Sequence, residues 1–303
     1  MIKNFKTKIT VLLIGIFLLP LTALSATLYI EPEEGNYHLG DVFLAEIRIN
    51  TEGKPINTVK ADIAFSSDIL EVKGFAKGGS VLSLFAEEPV FSNRTGEISF
   101  AGGIPGGFLG DGLLGKIAFE AKKEGEGIVE IDENSRILLN DGMGTLAEIS
   151  TKKALFNILP ETSEILKDEW QEMLGRDETP PEPFEIIITR DPNVFEGKYF
   201  IVFSTTDIGT GVDYYEVKEG DREWKKGESP YLLEDQNLEG IIKVRAVDKA
   251  GNERVAEYDP SDKKLLANPL FWIILILIIA WIIGLAVIKL KKEKYAREKD
   301  KNQ

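Results

Sequence analysis

The sequence predicts an all-β protein: a β-sandwich or jelly roll over 27–159, a smaller β-sandwich over 184–260, and one C-terminal transmembrane helix over 269–288. Three observations carry this reading. Apolar and polar residues alternate in short runs through both middle segments, the period of half-buried strands. Gly, Pro, Asn and Asp punctuate these runs as turn residues do. Long apolar runs flanked by Lys stand at both ends of the chain.

The chain opens with Lys3, Lys6 and Lys8, followed by an apolar run from Ile9 to Leu24. Ala23, Ser25 and Ala26 are small residues suited to cleavage, so 1–26 reads as a secretory signal peptide. Strand alternation follows. Phe43, Ala45, Ile47 and Ile49 share one face, and Val59, Ala61, Ile63 and Phe65 share another. Ile117, Phe119 and Ala121 repeat the pattern. Turn residues separate these runs at Gly35, Gly53, Gly78, Gly96, Gly125 and Gly142.

Residues 160–183 break the pattern. Leu166, Trp170, Met173 and Leu174 fall at helical spacing, with Glu161, Glu164, Asp168 and Glu169 crowding the first turns and Gly175 placed as a C-terminal cap. The apolar stripe predicts a short helix packed on the preceding sandwich. The prolines at 180, 181 and 183 then make a stiff linker. Strand patterning returns over 184–260, a length suited to an immunoglobulin-like sandwich. Without cysteine this segment must rely on its apolar core, and Trp224 reads as structural.

From Pro269 to Ile288 no residue is charged, long enough for a helix to span the hydrocarbon core. Lys289, Lys291, Lys292, Lys294 and Arg297 follow, which places the tail 289–303 on the cytoplasmic side and the preceding domains outside.

Composition removes several chemistries. The chain has no Cys, one His and a net charge of −14. It offers no thiolate nucleophile or Cys-ligated metal, and no basic face of the kind nucleic acid requires. Gly110–Lys116 (GDGLLGK) approaches a P-loop but places Ile117 where a Ser or Thr must hold magnesium. The acidic pairs Glu33–Glu34 and Glu87–Glu88 lie in turn-like segments, and His38 reads as a surface turn residue rather than a base. No catalytic residue is assigned, and the chain is read as a non-enzyme. No cofactor is expected. No Asp-x-Asp-x-Asp-Gly loop signals calcium, although Asp132–Asn134, or Asp207 with Asp213, are compatible with it; solvated acids are the better account of both. Asn93-Arg94-Thr95 is a formal glycosylation sequon.

Several segments taken together resemble a cohesin domain. These are Gly40–Ile49 (GDVFLAEIRI), Ile56–Phe65 (INTVKADIAF), Ile69–Val72 (ILEV), Thr95–Phe100 (TGEISF) and Gly115–Ala121 (GKIAFEA). The resemblance covers nearly all of 27–159 and implies a sandwich that binds dockerins. It further implies that the strand Val59–Phe65 contributes to the binding face, with Asp62 at a frequent recognition position and Lys60 where many members carry Asn. Gly211–Val217 (GVDYYEV), Ser229–Tyr231 (SPY) and Lys243–Asn252 (KVRAVDKAGN) resemble bacterial immunoglobulin-like or fibronectin-like surface modules.

The expectation is therefore a single-pass cell-membrane protein. Its cohesin-like domain binds a dockerin-like or other surface protein through Lys60 and Asp62, and its C-terminal helix associates with the membrane. Two alternatives stand beside it: a polysaccharide-binding or adhesion module on the same fold, and an envelope protein without a ligand. The first domain has no Trp, which weakens the polysaccharide reading because sugars stack on aromatic rings.

Overall fold

The computed structural model describes residues 25–260 and 272–283. The signal peptide expected over 1–26 lies outside the described residues except for its last two. The tail 289–303 and both ends of the 269–288 stretch also lie outside them. Residues 272–283 form a helix whose apolar side chains are largely exposed. Among the described residues, no helix is long and apolar enough to cross a membrane.

The described residues fall into two compact units. The first takes those up to Glu182 together with Ser204–Asp213 and Val247–Arg254. The second takes Pro183–Phe203, Tyr214–Ala246 and those from Val255 onward.

The first unit stacks two sheets. One runs, in order across it, β11 (Ile149–Thr151), β1 (Ala26–Glu31), β3 (Val42–Asn50), β8 (Asp111–Ala121) and β5 (Leu70–Ala76). The other runs β2 (Glu34–His38), β12 (Ala154–Leu159), β9 (Gly125–Ile131), β4 (Ile56–Phe65), β7 (Glu97–Phe108) and β6 (Leu84–Ser92), with β10 (Arg136–Leu139) paired to β4. The alternating residues of β3, β4 and β8 named above are all buried between the sheets, as their period requires. Tyr37 stacks on Phe43 at 3.7 Å, and Phe156 meets Phe43 edge-on at 4.9 Å. These contacts pack the partly buried Tyr37 ring against the core, and burial pushes its phenol up to about 12.

The helix is shorter than its stripe suggested. It is α1 (Glu169–Arg176), capped by Asp168, whose Oδ1 accepts the Gln171 N–H at 2.8 Å. Gly175 lies inside its last turn, and Asp177 is the C-cap. Residues just before it cannot wind up because β3 holds them extended. The Val42 N–H donates to the Lys167 carbonyl at 2.8 Å, and buried Asp41 accepts the Lys167 N–H at 2.9 Å. α1 packs against β3. The Trp170 ring lies over Gly74, where an added Cβ would meet it at 2.6 Å. Cross-strand from Gly74, Ala118 is fully buried although its parity points outward.

The second unit contains a sheet of β13 (Ile187–Thr189), β14 (Phe200–Val202) and β17 (Tyr231–Leu232). It also holds most of a sheet that runs β16 (Lys225–Lys226), β15 (Val212–Glu219), β18 (Ile242–Asp248) and β19 (Glu253–Tyr258). Ile201, Phe203, Val217, Leu233, Ile242 and Val244 fill its core. Trp224 is outside that core. It is half-buried, with the Arg245 guanidinium 4.6 Å from its ring centroid. Aliphatic residues together with Phe203 fill that core instead.

Candidate functional site

β4 lies near the middle of its sheet, with β7 on one side and β10 and β9 on the other. Because Val59, Ala61, Ile63 and Phe65 are buried, Thr58, Lys60, Asp62 and Ala64 project together from the outer face. The register extends this line into rows. Arg136, Lys60, Ala101 and Glu87 are cross-strand neighbours on β10, β4, β7 and β6. Asp62, Ser99 and Val90 form the next row. Thr58, Gly103 and Leu84 form the row on the far side of Lys60.

The small residues Ser99, Ala101 and Gly103 make β7 the floor of a shallow trough. β4 supplies one wall with Lys60 and Asp62. β6 supplies the other with Leu84 and Val90, which are 53% and 63% exposed. Lys60 Nζ reaches across Ala101 to Glu87 at 3.7 Å. Asp62 Oδ1 accepts the Ser99 hydroxyl at 2.5 Å, and its backbone N–H donates to the Ser135 hydroxyl at 3.1 Å. Lys60 and Asp62 are thus brought together on one face, as the alternation required. Arg136, Glu87 and Ser99 join them through strand register alone, which no local sequence signal reports.

The first unit also gathers three carboxylates. Asp177, Asp207 and Asp248 present oxygens within 4.8 Å of one another. Oxygens so placed are of the type a divalent cation takes. Each carboxylate already has donors. Asp177 accepts the Thr210 N–H and hydroxyl at 2.8 Å each, Asp207 accepts the Gly211 N–H at 2.7 Å, and Asp248 accepts the Asn252 N–H at 2.8 Å. Burial, helped by the neighbouring Asp177 and Asp248, pushes Asp207 above the usual carboxylate range. Burial also pushes Asp177 upward, but the Thr179 and Thr210 donors outweigh it and hold the group low. The pairing of Asp207 with Asp213 is not formed: Asp213 pairs with Lys249, while Asp207 turns inward. Asp132 instead caps its own turn, accepting the Asn134 N–H at 2.8 Å.

The remaining sequence candidates have structural roles. Glu33 pairs with Lys152, and Glu88 with Lys77. His38 Nδ1 lies 3.8 Å from Asp41 Oδ2, but that oxygen accepts the His38 backbone N–H at 2.8 Å. The P-loop-like stretch is the β7–β8 turn and the start of β8. Its Gly110 takes φ of 121°, a conformation L side chains rarely adopt. Asn93 of the sequon is bonded to the Val72 backbone through both amide atoms.

The chain is similar to cohesin modules. A non-cellulosomal cohesin from the hyperthermophilic archaeon Archaeoglobus fulgidus is 15% identical with a TM-score of 0.38, over 45% of this chain and 91% of that one. A novel type I cohesin–dockerin complex from Clostridium thermocellum matches at 15% identity and a TM-score of 0.39, over 45% of this chain and 95% of that one. The cohesin module of a family 33 glycoside hydrolase from Clostridium perfringens matches at 11% identity and a TM-score of 0.37, over 45% of this chain and 97% of that one. No protein-family model and no curated protein matches the chain.

Proposed function

We propose that this chain is a non-catalytic, membrane-anchored surface protein whose first unit binds another protein, of dockerin type or otherwise, through the outer face of β4, β7 and β6. The trough floored by Ser99, Ala101 and Gly103 carries the reading. Small residues in the middle of a sheet let a partner's backbone approach closely, and exposed Leu84 and Val90 give it apolar surface to bury. The cohesin-like strand sequences supply the kind of partner. The second unit, read as an immunoglobulin-like spacer, and the apolar stretch 269–288 hold the binding unit at the outer surface, with the tail 289–303 in the cytoplasm. Polysaccharide binding is less well supported, since the three rows through Thr58, Lys60 and Asp62 contain no aromatic ring to stack on a sugar.

The test is a photo-crosslinking side chain at Ala101 in the full chain on intact cells, with a second at Thr27 on the opposite sheet as control. A protein captured from Ala101 and not from Thr27, with yield reduced by Asp62→Ala, supports the reading. Equal capture from both positions, or none from Ala101, removes it.

A further inference from the structure

We infer that the partner presents carboxylates to a two-cation notch made by Lys60 and Arg136; this rests on the reading that the β4–β7–β6 face binds protein. The two residues are directly opposed in the β10–β4 register, which puts their Cβ atoms about 5 Å apart on one face. Like charges so placed repel, and a chain with 50 Asp and Glu against 36 Lys and Arg has acids in excess to separate them. Neither cation is well compensated. Lys60 meets Glu87 only at 3.7 Å, with the two side chains 42% and 58% exposed, where such a pair is worth little. Arg136 donates Nη1 to the Glu133 and Ser135 carbonyls at 2.7 and 2.8 Å. Those neutral acceptors orient the guanidinium, and among the described residues no carboxylate pairs with it.

The notch adjoins the trough floor at Ala101 and stands one row from Asp62. A partner element along the trough therefore meets two cations on the β10 side, Glu87 across from them on β6, and Asp62 one row beyond. Charge complementarity then selects acidic side chains, one helical turn apart if the element is a helix, against the notch. Asp62 is left to a hydroxyl or amide donor of the same element.

Two short alanine-based helices serve as probes, one with Glu at two positions a turn apart, the other with Lys at the same positions. Fluorescence polarisation against the full chain in detergent should show the Glu helix binding about fivefold or more tightly than the Lys helix, despite the chain's net charge of −14. Lys60→Gln with Arg136→Gln should erase that preference, and Lys243→Gln on the second unit, where that lysine pairs with Glu257, should leave it. Equal affinities, a preference for the Lys helix, no binding of either helix, or a preference surviving the double substitution would each overturn the inference. Should the wider reading fail instead, crosslinking from Ala101 captures nothing. Should only this inference fail, capture persists and the segment crosslinked is uncharged or basic.

Discussion

Asp62 and Ser99 face each other across the β4–β7 register, and the serine hydroxyl donates to Asp62 Oδ1 at 2.5 Å. An acid on a solvated strand face would be free to rotate. This one is held by a neighbour on the trough floor. Ser99→Ala and Asp62→Ala each remove the same bond, so each should lower the unfolding free energy by about 0.5–1.5 kcal/mol. The double variant should lose hardly more than either single one. Urea unfolding of the four proteins measures the coupling, and additive losses would show that the two groups act independently.

Trp170 over Gly74 makes a second, larger prediction. The ring occupies the space a Cβ at Gly74 would need. Gly74→Val should lift α1 from its sheet and destabilise the first unit by about 1–3 kcal/mol through overpacking. Trp170 emission, obtained as the difference from a Trp170→Phe chain, should shift to the red, and segment 160–183 should become open to protease. Unchanged emission and protection would mean that α1 does not need this contact.

Such contacts mark where the sequence could be read and where it could not. The burial of Val59, Ala61, Ile63 and Phe65 was legible because strand period alone assigns their face. Trp170, Met173 and Leu174 announced a helix at the right place, whereas Leu166 lies before it. Its start at Asp168 was hidden, because the hydrogen bonds holding Lys167 extended come from Asp41 and Val42, far away in the chain. Trp224 reads as structural because a segment without cysteine must rely on its apolar core. It precedes a two-residue strand, where no alternation assigns a face, and Arg245 covers its ring instead. Lys60 and Asp62 could be paired from β4 itself, whereas Arg136 joins them only through pairing with a distant strand. The Asp177, Asp207 and Asp248 cluster draws on three separate segments and leaves no sequence trace.

That cluster makes stability depend on pH. Asp207 is raised above 3.8 in the folded chain, chiefly by burial and further by Asp177 and Asp248. A raised carboxyl binds its proton more tightly folded than unfolded. Its contribution is therefore fully present below 3.8 and is lost as pH rises through the folded value. Asp177 is held low by its Thr179 and Thr210 donors, so its contribution is present above 3.8 and lost as pH falls below that. Asp207→Asn should flatten the decline on the alkaline side of 3.8 and leave the acid limb intact. Thermal melting of both chains across the acidic range checks this, and identical profiles would place the titration elsewhere.

The last prediction concerns Asn93, the acceptor of the sequon. β5 is an edge strand, and an edge leaves backbone donors and acceptors without a neighbouring strand. At Val72 that edge is closed by a side chain. Asn93 Oδ1 accepts the Val72 N–H at 2.8 Å, and its Nδ2 donates to the Val72 carbonyl at 3.0 Å. The amide nitrogen that glycosylation would modify is therefore committed to the fold. Expressed in a glycosylating host, the folded chain should carry no glycan at Asn93, and endoglycosidase should not change the mobility of a fragment containing it. Asn93→Asp keeps the acceptor but sets a carboxylate oxygen against the Val72 carbonyl, so it should destabilise by about 1–3 kcal/mol. Asn93→Ser, too short to span both backbone groups, should cost nearly as much. A glycan found on the folded chain, or an Asn93→Asp chain as stable as the parent, would show that the β5 edge is closed by something other than this amide.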